Sequence, residues 1–541
     1  MKTIWITPEE LFMKIKTWFH YKRKITFLSA FFCGLLFYFG AYSKGLTNPD
    51  GLWNSVLKAS GDWEVSLGRF MLPIVDMIRG DAVANVLYSV IAIGILSLSV
   101  VWFLEYLSVD SAFWNACLAI LMMSNQLIGT IVSYYYCSIA YAIGFAAAIF
   151  AVRVCYFKKE SRYGRWRWFS LMIGWICIII SLGCYQSYIG VIALLILWTL
   201  LSMLFQRGIT WKKFGKEVLQ AFCLFAGGVA GYWICMKVSL MAAGITLADY
   251  KQANAIGLAE TLRSFPKSVI KAYEAFGKYY FGNYFQVNGR LIMLVYLCLF
   301  LLAGFLLLMQ YFQIWKNAKK KYDLVFKAVL AVVMIAGIPL AANMVLFAAT
   351  GTDMMLLLTS GMLGVLPILV AYCIMRLQKW KIPMQSLAKW GVFVLVVLLI
   401  RNNVLVENTT QLALEEIHNR TYTMSARILE EIEKTPGYES DMRVCLNAST
   451  DDFPMTDEFA RAGWMVREGA FWEDYDGTFY PWQKFFAHEL GIKIEFVTKE
   501  EYRKIIESDA YQALSTFPKE GCTTIIDDVV VMKLTDTPAW Q

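Results

Sequence analysis

Eleven apolar segments, each long enough to span a bilayer as a helix, dominate the first 406 residues. A helix needs about 20 mostly apolar residues to cross the hydrocarbon, where its backbone groups must bond within their own segment. The pattern therefore predicts a polytopic α-helical membrane protein with about eleven transmembrane helices. The predicted spans are 25–43, 82–106, 111–132, 137–157, 168–184, 186–205, 218–242, 291–314, 324–348, 355–375 and 387–406.

The composition and charge agree with this class. Hydrophobic residues make up 58% of the 541 residues and charged residues only 17%, whereas soluble domains carry about 25% charge. The net charge of +8 comes from basic loops such as "KNAKKKY" and "QRGITWKKFGK", which recur at every second connection. Because basic short loops stay in the cytoplasm, we predict a cytoplasmic N-terminus and an outer C-terminus. The charge thus indicates topology and not a nucleic-acid partner.

This topology places three larger segments outside a multi-pass cell membrane: the loops 44–81 and 243–290, and a tail. We predict a transmembrane domain over 1–406 and an extracytoplasmic soluble α/β domain over 407–541. In the tail, "MRVCLNA", "IKIEFVT" and "IIDDVVVMKL" predict strands, while "YPWQKFFAHELG" and "KEEYRKIIES" predict helices. Cys445 and Cys522 lie in this tail, and the sequence leaves open whether they pair.

A metal or cofactor site has little support. The twelve cysteines form no CxxC pair and the chain has three histidines; cysteine in an apolar run behaves as a small hydrophobic residue. We predict no metal site and no cofactor, and leave a need for a divalent ion open. A DxD pattern in "EDYDG" (473–477) is typical of metal-dependent nucleotide-sugar transferases, but it falls in the predicted outer tail.

The first outer loop carries charged residues beside the membrane. "NPDG" places Asp50 in a strong turn sequence, and "DWEVSLGRF" adds Asp62, Glu64 and Arg69. A turn aspartate is often satisfied by local backbone donors alone, but polar residues at membrane depth are costly and tend to mark a site. The loop and the outer ends of the spans supply candidate groove residues: Asn48, Trp63, Tyr135, Gln186, Asn343 and Asp353.

These motifs resemble a family of membrane enzymes. "NPDG", "WEVSLGRFMLP", "YQSY" and the terminal "FPKEGCTTIIDDVVVMKL" together resemble the bacterial Gtr-type, O-antigen serotype-converting glucosyltransferases of the polytopic GT-C class. The resemblance covers most of the chain. It implies transfer of a sugar from a polyprenyl-phosphate donor to a cell-surface glycan acceptor at the outer face of the bilayer. Glucose is the sugar that the resemblance favours.

The resemblance also implies roles for individual residues in an inverting displacement. Asp50 is expected to be the general base, with Asp62 and Glu64 as alternates. The leaving phosphate needs cationic donors. Arg69 is the first candidate because guanidinium binds phosphate in a bidentate manner. Arg290 and Arg401 are the others, and for all three arginines a snorkelling or loop charge is the alternative.

Two other classes of function remain open at this stage. A transporter or flippase of lipid-linked sugars would explain the spans, but it should show related halves and helices broken at mid-membrane. A polysaccharide polymerase would share the lipid donor, with its large outer loop late in the chain.

The predicted topology gives a direct test. Cysteines introduced as Lys320→Cys and Tyr475→Cys should differ in reactivity toward a membrane-impermeant maleimide applied to intact cells. Position 475 should react from outside, whereas position 320 should react only after the membrane is permeabilised, because the two lie on opposite faces. The parent protein measures the background from native cysteines. Equal labelling of both positions from outside would contradict the eleven-span topology.

Overall fold

The computed structural model describes residues 17–46, 59–80, 82–156, 165–205, 209–248, 258–282, 289–316, 321–348, 355–447 and 480–536. The helices follow the apolar runs, since a helix satisfies its own backbone groups. The helices of the first half are α1 (Tyr21–Phe37), α2 (Phe39–Lys44), α3 (Asp62–Ser66), α4 (Met71–Arg79), α5 (Asn85–Tyr106), α6 (Ala112–Met123), α7 (Gln126–Ser133), α8 (Ser138–Tyr156), α9 (Arg165–Cys184), α10 (Ile189–Leu204) and α11 (Trp211–Ala243).

The second half continues with helices and ends in the described strands. The helices are α12 (Leu258–Phe281), α13 (Gly289–Lys316), α14 (Lys321–Ala336), α15 (Ile338–Ala342), α16 (Met362–Leu377), α17 (Ile382–Glu433), α18 (Tyr480–Glu489), α19 (Lys499–Ile506) and α20 (Asp509–Gln512). The strands are β1 (Arg443–Asn447), β2 (Thr523–Ile526) and β3 (Val529–Lys533).

Eight helices in the described ranges are long and apolar enough to cross a membrane, or nine if α6 and α7 form one span. The axes of α6 and α7 differ by 55° at their junction. The chain is therefore a membrane protein with transmembrane helices. The breaks between helices were not visible in the apolar pattern, which runs through them.

The two other predicted spans, 25–43 and 355–375, coincide with shorter helices. α1 has 17 residues and is interrupted at Tyr38 before α2 begins. α16 has 16 residues and follows a short 3-10 helix at Leu356–Thr359. The count of eleven spans, and with it the orientation of the termini, stays a prediction.

Close backbone packing joins three parts of the spanning region at the carbonyl group of Ala342. A Cβ atom on Gly190, or one on Gly361, would lie 2.5 Å from this carbonyl oxygen. Glycine is therefore needed at both positions, because the backbones approach too closely for a side chain. The surrounding core is close-packed, with Ile93, Leu118 and Ile192 completely buried.

The last predicted span belongs to a much longer helix. α17 runs for 52 residues without interruption and passes through the predicted domain boundary at residue 407. Its final turns contribute Ile428 and Ile432 to a second hydrophobic core, which also contains the strands. We call residues 424–447 and 480–536 the C-terminal sheet unit. One helix thus belongs both to the spanning region and to this unit.

The sheet has the strand order β1-β3-β2, with β1 parallel and β2 antiparallel to β3. The prediction of one strand over "IIDDVVVMKL" is wrong, because this stretch contains a hairpin. Asp527 and Asp528 form its turn with φ of 51° and 58°, in the left-handed region that Asp tolerates better than most residues. The predicted strand "IKIEFVT" contributes only an isolated bridge between Phe496 and Val444.

The two cysteines of the tail are buried free thiols, not a disulfide. Cys445 lies in β1, where burial raises the pKa of its thiol to about 12. Cys522 precedes β2, and burial raises the pKa of its thiol as well. Both thiols therefore stay protonated at neutral pH and pack as small hydrophobic groups.

The contact at Ala342 predicts a stability difference between two glycine substitutions. Gly190→Ala should lower the free energy of unfolding by about 1–3 kcal/mol, because overpacking shifts the backbone. Gly304→Ala in α13 is the matched control: a Cβ there meets nothing within 4 Å, and alanine favours a helix by up to about 1 kcal/mol. Thermal unfolding in detergent measures both. Equal melting temperatures for the two variants would contradict the predicted contact.

Candidate functional site

The segment 60–80 consists of α3, a turn over residues 67–70 and α4, and two of its own acids hold it together. Glu64 accepts a hydrogen bond from the backbone N–H of Gly61 at 2.8 Å and so closes the first turn of α3. Asp76 accepts from the N–H of Ser60 at 2.6 Å and pairs with Arg79 at 2.9 Å. Both carboxylates are buried. Glu64, an alternate for the base, is thus engaged in fixing the local backbone.

Gln186 joins this turn to the spanning helices. Its amide donates to the carbonyl of Leu67 at 2.6 Å and to the hydroxyl of Tyr232 at 3.0 Å. The same hydroxyl donates to the carbonyl of Gly68 at 3.2 Å. Gly68 has a φ of 78°, and a Cβ atom there would lie 2.6 Å from the Tyr232 hydroxyl oxygen. We call these contacts the Gln186 clamp; they fix the backbone immediately before Arg69.

Arg69 projects from the clamped turn into a group of tyrosines. Its Nη1 donates to the Tyr141 hydroxyl at 3.3 Å, and its guanidinium lies 4.9 Å from the ring centre of Tyr185. The ring of Tyr134 lies 6.2 Å from that of Tyr141. Among the residues that the structure describes, no carboxylate pairs with Arg69, and its buried Nε has no hydrogen-bond partner. This cation can therefore still donate several hydrogen bonds to an anion.

A second polar group surrounds the break between α6 and α7. The Tyr38 hydroxyl, at the break between α1 and α2, donates to the carbonyl of Met123 at 2.5 Å. The amide of Asn125 donates to the Tyr279 hydroxyl at 3.0 Å, and that of Asn403 to the Ser124 hydroxyl at 3.3 Å. The break between α1 and α2 thus lies next to the break between α6 and α7, and polar side chains form hydrogen bonds there.

Glu407 is the buried acid of this second group. It is 3% exposed and accepts a hydrogen bond from Gln411 at 3.0 Å. It also lies against α7, since a Cβ atom on Gly129 would be 2.5 Å from its Oε2. The sequence analysis missed Glu407, although an acid directly after the last apolar run ("LVENTT") was a usable signal. α7 connects this group to Tyr134 and the surroundings of Arg69.

The predicted acids, phosphate-binding arginines and groove residues lie in different surroundings. Asp50, Asn48 and Asp353 lie outside the described residues. Asp62 is exposed at the start of α3, and Trp63 beside it is 57% exposed. Arg290 and Arg401 are also exposed, at the start of α13 and within α17. Their roles stay predictions, with Arg69 alone of the three arginines set among buried aromatic side chains.

Two predicted groove residues are buried and bonded to the backbone. Tyr135 donates to the carbonyls of Ala41 and Leu46 at 2.8 and 2.6 Å. Asn343 donates to the carbonyls of Ala272 and Pro339 at 3.1 and 3.0 Å. Each of the two side chains therefore holds neighbouring backbone segments together, which accounts for its burial. Within the described ranges, no three His, Cys, Asp or Glu side chains gather as ligands of a metal ion would.

Comparison with known protein families gives a match over more than half of the chain. Residues 55–375 match the family described as Glucosyl transferase GtrII. The matched range contains the clamped turn, Arg69, its tyrosines and Gln186, whereas Asp50, Glu407 and the C-terminal sheet unit lie outside it. No curated protein and no solved structure matches the chain.

Proposed function

The chain belongs to the GtrII family of glucosyl transferases, and from this premise we propose that it uses a polyprenyl-phosphate sugar donor. The sugar, glucose, moves to a cell-surface glycan on the outer face of the membrane. A lipid-borne donor requires a reaction site at the membrane surface. Transmembrane helices carrying polar groups at their ends suit such a donor better than a soluble nucleotide sugar.

The setting of Arg69 is the observation that carries this proposal. A guanidinium without a carboxylate partner among the described residues is a strong phosphate-binding group in a low-dielectric surrounding. The Gln186 clamp and the tyrosines hold it in place before any ligand binds, so little reorganisation is needed. We assign Arg69 to the donor phosphate, whose charge increases as the sugar–phosphate bond breaks.

Asp50 is proposed as the general base of an inverting displacement. The acceptor hydroxyl oxygen attacks the anomeric carbon, Asp50 takes the hydroxyl proton, and the polyprenyl phosphate leaves with the electrons of the broken C–O bond. Asp50 follows Leu46 by four residues, so the two Cα atoms are at most about 14 Å apart. Leu46 is tied to Tyr135 and packs against Leu414 of α17. This tether supports a position of Asp50 near the C-terminal end of α7 and the part of α17 around Leu414.

Ion pairs at both ends of the helices support the proposed topology. At one end, Glu105 in the last turn of α5 pairs with Arg23 and Arg153, which lie at the start of α1 and the end of α8. All three positions lie at the predicted cytoplasmic ends of spans. At the other end, Lys44, the last residue of α2, pairs with Glu415 of α17 at 2.5 Å. Both residues are predicted to lie outside.

A transporter of lipid-linked sugars is the second candidate. The 55° break between α6 and α7, with its polar side chains, is a feature that substrate sites of transporters share. Assay in detergent separates the two functions, because a transferase still forms product there, while a transporter has no second compartment to fill.

Substitution of the two proposed reaction residues should separate chemistry from folding. Asp50→Asn keeps the size of the side chain but removes the basic charge, so transfer of labelled sugar should fall by roughly 100- to 10,000-fold. Arg69→Lys should also reduce transfer, because a point charge does not replace a bidentate fork. Melting temperatures should change little for Asp50→Asn, since surface substitutions usually act within about 0.5 kcal/mol.

The matched control is Asp110→Asn, an exposed acid predicted on the cytoplasmic side, which should keep full turnover. Near-normal turnover by Asp50→Asn would mean that Asp50 is a turn residue and not the general base. Asp62 would then be the next candidate for the base.

The DxD pattern of the tail gives an independent test of the donor. Asp474→Ala and Asp476→Ala should keep turnover from polyprenyl-phosphate glucose near that of the parent protein, because this donor needs no metal-bound nucleotide. Loss of turnover in well-folded variants would instead favour a metal-dependent nucleotide-sugar mechanism.

A further inference from the structure

The C-terminal sheet unit contains a polar pocket of about 310 Å³. It opens where β1 and β3, which are parallel, both end, at Asn447 and Lys533. Ligands of α/β sheets commonly bind outside the carboxyl ends of parallel strands. The volume is at the lower end of the range for small-molecule sites.

The floor of the pocket is a fixed hydrogen-bond network. The Asn447 side chain, 1% exposed, bonds to the hydroxyls of Tyr502 and Tyr511 and to the carbonyl of Thr535. Lys533 lies 5.4 Å from the centre of the Tyr511 ring and pairs with Asp536 at 2.9 Å. A satisfied buried network of this kind keeps its geometry without a ligand.

The rim contributes charged groups that remain available. Arg503 and Glu507 lie at the end of α19, both exposed, and neither side chain forms a hydrogen bond or ion pair with another described residue. Hydrogen bonds from Lys533 and Thr516 lower the pKa of Asp536, so Asp536 stays ionised. Two cations and two carboxylates therefore cancel in charge, while offering donors and acceptors side by side.

We infer that this pocket binds sugar units of the glycan acceptor. The inference rests on the proposed function. A neutral sugar presents hydroxyl groups that both donate and accept, which matches a rim of mixed sign. A phosphate or other simple anion would find Arg503 and Lys533 opposed by Glu507 and Asp536, so the pocket offers it no net positive charge. The pocket is thus suited to the acceptor and not to the phosphate-bearing donor.

Glycan binding by the detergent-purified full chain tests this inference. We expect binding to neutral oligosaccharides of two to six units on an array that also carries acidic ones. Titration calorimetry then measures the best neutral oligosaccharide. Arg503→Gln and Glu507→Gln should each weaken its affinity by about 10- to 100-fold, as expected for lost hydrogen bonds to charged groups. Lys504→Gln is the matched control, an exposed neighbour on α19 that does not line the pocket.

The same preparations are assayed for sugar transfer, so that the two proposals fail separately. Absent transfer together with Arg503-dependent binding would overturn the proposed function but support the pocket. Three results would overturn the inference that the pocket binds the glycan. They are no binding of any neutral glycan, unchanged affinity in both variants with unchanged melting temperatures, and preference for acidic glycans or inorganic phosphate. With transfer intact, the two rim variants should raise the acceptor KM and leave kcat unchanged.

Discussion

The position of Arg69 depends on the side chain of Gln186, which bonds a turn of the chain to the ends of the spanning helices. Its amide bonds to the carbonyl of Leu67 and to Tyr232, whose hydroxyl in turn bonds to Gly68. The contacts with Leu67 and Gly68 cross sequence separations of 119 and 164 residues. Because they fix backbone atoms, they orient the guanidinium more firmly than side-chain packing alone would.

The polar groups of this apolar chain are concentrated where helices are interrupted. Arg69 and its tyrosines lie at one end of α7, Asn125 and its partner Tyr279 lie at the other, and Glu407 packs against Gly129 between them. A cation and an acid set into a membrane protein are costly. Arg69 donates to Tyr141 of α8, and Glu407 accepts from Gln411 of its own helix. At the breaks, Tyr38 bonds to the carbonyl of Met123 and Asn125 bonds to Tyr279, so irregular backbone and polar side chains occur together there.

The sequence predicted those features that depend on local patterns. Apolar runs predicted the helices, and the sequence "DWEVSLGRF" indicated Arg69 as a candidate, whose role stays a prediction. The helix breaks, the hairpin turn at Asp527 and Asp528, and the 52-residue extent of α17 depend on tertiary contacts that no window of sequence contains. The motifs also supported the family. They did not reveal that Glu64 caps its own helix, or that Glu407 is buried against α7.

Because α17 is continuous, a change in its tilt moves the C-terminal sheet unit. Lys44 holds it at Glu415, and Ile432, seventeen residues further on, is part of the core of the sheet. At 1.5 Å per residue, a tilt of about 15° moves Ile432 by about 7 Å. Transmembrane helices change their tilt to match the thickness of the surrounding hydrocarbon. A change in the tilt of α17 with the lipid composition of the membrane would therefore move the sheet relative to Arg69.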